Sequence, residues 1–169
     1  MADPLDIYRA GSRQLVRSVL DRLLDDAPFS PADPPVSDAT QVRELREAIR
    51  RDLELLLNTR RCVQSPGKGF PELQNSLRTF GVDGVVAANL MTDESKFALA
   101  RSIERSISRF ETRLSNVRVT ILKNRSMTAR ALRMRIEATF RLHEGMPPIS
   151  FESVIDPSSQ RFHVEGADG

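Results

Sequence analysis

Between residues 40 and 110 the apolar positions recur at steps of three and four; from residue 117 onward they recur at steps of two. The first spacing predicts helices and the second predicts strands. Leu15, Val16, Val19, Leu20, Leu23 and Leu24 form one helical face over residues 12–25, with Ser12 as its cap. Pro28, Pro31, Pro34 and Pro35 then forbid regular structure and mark an extended linker. A second helix begins near Asp38 or Thr40 and carries Val42, Leu45, Ile49, Leu53 and Leu56 on one stripe. Asn58 and Thr59 end it. Residues 73–84, "LQNSLRTFGVDG", read as a short helix closed by Gly81 as a left-handed cap. A third long helix starts after Thr92 or Asp93 and runs to Phe110 or Arg113. Its buried stripe is Phe97, Ala100, Ile103, Ile107 and Phe110.

Alternation then takes over. Val117, Val119 and Ile121 alternate with Arg118, Thr120 and Leu122. Leu132, Met134, Ile136, Ala138, Phe140 and Leu142 alternate with Arg133, Arg135, Glu137, Thr139 and Arg141. The loop "NRSMTA" joins these two strands as a hairpin. "PISFESVI" gives a third strand and "SQRFHV" a fourth, after a turn at Asp156-Pro157. Helices come first and strands last. The expected class is therefore α+β, with N-terminal helices packed on a C-terminal antiparallel sheet of about four strands. The expected organisation is a helical arm and proline-rich linker over 1–37 and an α+β domain over 38–165.

The bulk numbers narrow the function classes. The chain has 169 residues, enough for one sizeable core. The formal net charge is +2, which lacks the clustered basic field that nucleic acid requires, so no nucleic-acid partner is expected. No segment has the length and apolarity of a signal peptide or a membrane span, so a cytoplasmic protein without membrane insertion is expected. Cys62 is the only cysteine, which excludes an internal disulfide and a cysteine metal cluster. His143 and His163 read as surface residues, and no cofactor is expected. "VQSPGKGFPEL" contains Gly-Lys without phosphate-loop spacing, because Cys62 stands at the first glycine position and Gly69 follows Lys68.

No catalytic constellation appears. Hydrolysis of a glycan requires two carboxylates flanking a cleft. Asp93, Glu94, Glu104 and Glu111 are candidates by abundance only, and a solvated helix face explains them better. Sugar-stacking surface is scarce, with no Trp and one Tyr. Glu111 and Arg113 stand out instead, two apart at the third helix's exit, between Phe110 and Leu114. Side chains two apart on a helix do not pair, so these two are expected to reach separate partners, as at an interface.

Several stretches in order resemble a known family. "SVLDRLLDD", "RRDLELLLNTRR", "SLRTFGVDG" and "SIERSISRFETRLSNVRVTI" are similar to segments of the TssE family. These are the small baseplate subunits of bacterial type VI secretion systems, related to phage contractile-tail baseplate wedge proteins once labelled "lysozyme-like". The resemblance covers most of residues 15 to 142. Where the family has Glu-Pro-Arg, this chain has Glu111, Thr112 and Arg113, keeping the charges and losing the proline; a less rigid junction is expected. The resemblance implies a non-enzymatic adaptor, cytoplasmic and bacterial, at a membrane-docked baseplate. Its implied partners are TssF-like and TssG-like wedge subunits, a TssK-like baseplate protein and the TssB/TssC sheath, whose assembly it nucleates. It implies a sheet edge that a sheath strand extends, with Arg133, Arg135 and Arg141 discouraging wrong partners by charge. It implies contact roles for Glu111, Arg113, Arg50, Asp52, Glu54, Arg60 and Arg61. The old label implies the alternative, a peptidoglycan-cleaving hydrolase.

Overall fold

A computed structural model describes residues 19–23, 28–29, 37–62, 64, 69–83, 92–122, 131–141, 148–156 and 159–166. They form α1 (Val19–Leu23), α2 (Asp38–Asn58), α3 (Pro71–Gln74), a 3-10 turn (Leu77–Thr79), α4 (Asp93–Phe110) and four strands. The strands are β1 (Leu114–Leu122), β2 (Leu132–Phe140), β3 (Ile149–Asp156) and β4 (Arg161–Gly166). All neighbours pair antiparallel, in the order β1-β2-β3-β4. The expected α+β class, helices before a four-stranded antiparallel sheet, is the observed one.

The chain divides into two compact units, Met1–Ile49 and Arg50–Gly169. In the first, α1 is the only described part of the helix expected over 12–25, and Leu20 and Leu23 are exposed. Of the four linker prolines only Pro28 is described. α2 starts at Asp38 because Ser37, one residue earlier than expected, caps it: its Oγ accepts from the Thr40 N–H at 3.3 Å. Val42 and Ile49 are buried, whereas Leu45 is half-buried.

The second unit holds the sheet. Leu53, Leu56 and Leu57 of α2 are buried, as are Ala100, Ile103 and Ile107 of α4. β2 alternates as expected: Leu132, Met134, Ile136, Ala138 and Phe140 are all buried. Ile149, Phe151 and Ile155 of β3, with Phe162 and Val164 of β4, complete the core side. Each large side chain so buried contributes about 1.5–3 kcal/mol. Leu142 and the hairpin loop expected at 124–129 lie outside the described residues.

Three expectations need correction. Phe97 is 63% exposed, not buried. Helical spacing sets the side a residue faces, not how far the core reaches, and the core along α4 begins one turn later, at Ala100. β1 begins at Leu114, not Val117, because an extra residue interrupts its alternation. The register runs Ser115↔Thr139 and then Arg118↔Glu137, a bulge, with Asn116 at φ 53°. Leu114 and Val119, an odd number of residues apart, both face inward as a result. Gly81, finally, is no helix cap: Asn75 ends α3 and Phe80 ends the 3-10 turn. Gly81 has φ +101° because the chain passes directly over Thr59, where a Cβ would lie 2.3 Å from the Thr59 carbonyl oxygen. That approach lets Val82 N–H donate to Thr59 O and Arg61 N–H donate to Val82 O, both at 3.0 Å, in a parallel bridge of Arg60 with Val82. Ser106 of α4 holds the Gly81 carbonyl from its other side at 3.2 Å.

Candidate interaction surfaces

The junction between α4 and β1 contains a charge network that reaches back to α2. α4 ends at Phe110, and Glu111 is its C-cap, with φ −98° and ψ 83°. Off the helix, residues two apart fall on the same side of the chain. Glu111 and Arg113 therefore bind each other rather than separate partners, which corrects the expectation drawn from helical geometry. Arg113 donates from Nε to Glu111 Oε1 at 2.7 Å and from Nη2 to Oε2 at 2.5 Å, a two-pronged contact. Nη2 also donates to Asp52 Oδ2 of α2, at 2.5 Å. Glu111 is buried and Arg113 largely so. The hydrogen bonds to Glu111 hold the Arg113 guanidinium pKa above its ordinary value, against the opposing effect of burial. Thr112 is exposed at the corner, and the helix stops at Phe110 without the proline.

The remaining arginines divide by whether their charge is already engaged. Arg50 donates to Glu54 at 2.6 Å and to the Val164 carbonyl at 3.0 Å. Arg61 lies 3.7 Å from Asp83. Arg133 and Arg135 both bind Glu152, at 2.7 and 2.8 Å, and hold its carboxyl below the ordinary range, with Arg135 the larger cause. They stand on β2, the second strand, so their charges lie on the sheet's polar face and guard no edge. Arg141 lies just beyond β2 and donates its N–H to Arg113 O at 2.8 Å. Arg60 and Arg161 are exposed and make no ion pair among the described residues.

Both sheet edges are met by helix side chains. At β4, Asn58 Oδ1 accepts from Phe162 N–H and Asn58 Nδ2 donates to Phe162 O, both at 2.9 Å. One amide side chain thus makes the two bonds a neighbouring strand would make. With Arg50 on Val164 O, α2 closes the β4 edge. At β1, Glu104 of α4 accepts from Val119 N–H at 2.8 Å. Nothing local in the sequence pairs Asn58 with Phe162, 104 residues apart; an Asn at a helix end signals only a cap.

Below the β4 edge lies a polar crevice of about 560 Å³. The end of α2 (Glu54, Asn58, Arg60), Asp83, and the start of β4 (Arg161, His163) line it. Reading the sequence singled out Arg60 and missed Arg161, since β pairing alone brings Arg161 there.

Three of the four acids considered for hydrolysis are otherwise occupied, and the fourth, Glu94, is exposed in the first turn of α4. Asp93 pairs with Lys96 at 2.9 Å, Glu104 holds Val119, and Glu111 is bound to Arg113. Among the described residues no group of three or more His, Cys, Asp or Glu is placed to hold a metal ion, and no helix is long and apolar enough to cross a membrane.

The family model described as baseplate wedge protein gp25 matches residues 43–144. No curated protein matches the chain.

Proposed function

The chain belongs to the baseplate wedge protein gp25 family, and from that membership we propose that it is the TssE-type adaptor of a type VI secretion baseplate. It joins TssF-like and TssG-like wedge subunits, adjoins a TssK-like protein, and seats the first TssB/TssC sheath ring. The family is one of structural baseplate components, and the match carries this reading because it runs from α2 through α4 to β1 and β2.

The disposition of the edges supports a particular mode of sheath contact. Asn58 and Arg50 already occupy the β4 edge. Past its bulge, β1 turns the N–H groups of Val119 and Ile121 outward, and that of Val119 is held by Glu104. We infer that a sheath strand adds at Arg118–Leu122. Glu111 and Arg113 serve this by fixing the α4–β1 corner on Asp52, so that β1 leaves at a set angle. Arg133 and Arg135 lie one strand further in, on the polar face of β2.

The test is co-expression of the chain with the TssF-like and TssG-like proteins of its own genome, followed by sizing with light scattering. One co-eluting complex is expected, and its absence well above micromolar concentration would overturn the adaptor reading. Ile121→Pro is the companion variant. Ile121 shares Val119's outward backbone orientation, and proline is tolerated where an edge N–H faces outward. Wedge binding is expected to persist while sheath assembly on the wedge is lost.

A further inference from the structure

The crevice beneath β4 has an imbalance that its own residues do not resolve. Its two carboxylates are engaged. Glu54 accepts from Arg50 and lies 3.4 Å from His163 Nδ1, and Asp83 faces Arg61. Asp156, opposite Arg161 in the β3–β4 register, accepts from the Ser159 hydroxyl at 3.0 Å. Arg60 and Arg161 have no such carboxylate among the described residues. The lining carries two carboxylates and two arginines, and the carboxylates already have cations outside it, Arg50 and Arg61, so Arg60 and Arg161 are the charges left over.

The backbone around it is closed. Phe162 N–H and C=O belong to Asn58, so an entering chain finds no ladder to join. Three carbonyls near the end of α2 are also taken: Asn58 Nδ2 donates to Glu54 O, Thr59 Oγ1 to Leu55 O, and Thr59 N–H to Leu56 O. The negative end of the helix is therefore partly covered. What remains to recognise a partner is the guanidinium pair. Each is rigidly based, Arg60 by its bridge to Val82 over Gly81 and Arg161 by its place in β4.

We propose that this crevice is a docking site for an acidic segment of a partner protein, whose carboxylates engage Arg60 and Arg161. An arginine fork matches a carboxylate in two-pronged geometry. Acidic peptide is favoured over nucleic acid because Glu54 and Asp83 line the same cavity and repel an extended phosphate backbone. Carboxylates presented singly fit between these two acids. The site is separate from the β1 edge and requires no wedge protein, so its failure would leave the wedge reading standing.

The experiment is an NMR titration of the full, isotopically labelled chain with a peptide whose glutamates are spaced by glycine and serine. Saturable amide shifts are expected at Thr59–Arg61, Val82–Asp83 and Gln160–His163. Arg60→Glu combined with Arg161→Glu is expected to weaken binding at least tenfold. Arg118→Glu, exposed on β1, is expected to leave it unchanged. Circular dichroism confirms that the variants fold, as substitutions at exposed sites allow, and Arg161→Gln alone gives an intermediate loss. The proposal is overturned by shifts scattered over the sheet's polar face, by equal loss in Arg118→Glu, or by no shift at millimolar peptide. It is also overturned if a short single-stranded oligonucleotide moves the same amides at lower concentration than the peptide.

Discussion

Arg113 Nη2 reaches Asp52 Oδ2 across 61 positions of sequence, and the same guanidinium grips Glu111 two residues before it. One cation thus ties the middle of α2 to the α4–β1 corner. Removing it leaves the buried Glu111 without its counter-charge and Asp52 with only Arg51, at 3.7 Å. Arg113→Ala is expected to cost about 2–4 kcal/mol. Asp52→Ala, at a partly exposed site where Arg113 keeps Glu111, is expected to cost nearer ~1 kcal/mol. Arg113→Lys should not restore the loss, since one ammonium cannot span both carboxylates. Urea denaturation measures all three, and an Arg113→Ala variant as stable as the wild type would sink the account.

Asn58 closes the β4 edge with one side chain and also accepts the role of cap at Glu54 O. Asn58→Ala leaves Phe162 N–H and C=O without their partner and is expected to cost about 1–3 kcal/mol. Hydrogen exchange supplies a local check. The Phe162 amide should lose protection far more than those of β2, and equal protection in the variant would contradict the bridging role.

Gly81 tolerates no side chain. A Cβ there meets the Thr59 carbonyl oxygen and carbon at 2.3 and 2.9 Å, backbone atoms that cannot rotate away. Its φ of +101° is strained for any other residue. Gly81→Ala is expected to destabilise by roughly 2 kcal/mol or more and to loosen the Arg60–Val82 bridge. Chemical denaturation reads the first effect, and exchange of the Arg61 and Val82 amides reads the second.

Glu152, between Arg133 and Arg135, gives a pH dependence of definite sign. Its folded-state pKa is lowered, chiefly by Arg135. Its contribution is therefore complete above the ordinary carboxylate range and is lost as pH falls through the lowered value. Because the site faces solvent, the contribution is under ~1 kcal/mol. Thermal melts should show the wild type above Glu152→Gln at neutral pH. The gap should narrow as the pH falls below the ordinary carboxylate range, and a gap that widened in acid would refute the assignment.

The sequence by itself determined the class, the element order and most of the core. Periods of 3.6 and 2 are local consequences of backbone geometry, so Ile103, Ile107 and the alternating run from Leu132 to Phe140 were legible one residue at a time. The ordered segments also carried the family. What local pattern leaves out is pairing across long separations. The bulge at Asn116 broke the alternation and hid the first three residues of β1. The partners of Arg113, Asn58 and Gly81 lie 61, 104 and 22 positions away, and only the closed fold brings them within bonding distance. Charge type was readable in the sequence, and helical spacing also offers Arg50 its partner Glu54, four residues on. Arg133 looks like Arg60 in the sequence, and tertiary structure alone gives the first a carboxylate, Glu152, and leaves the second facing a crevice.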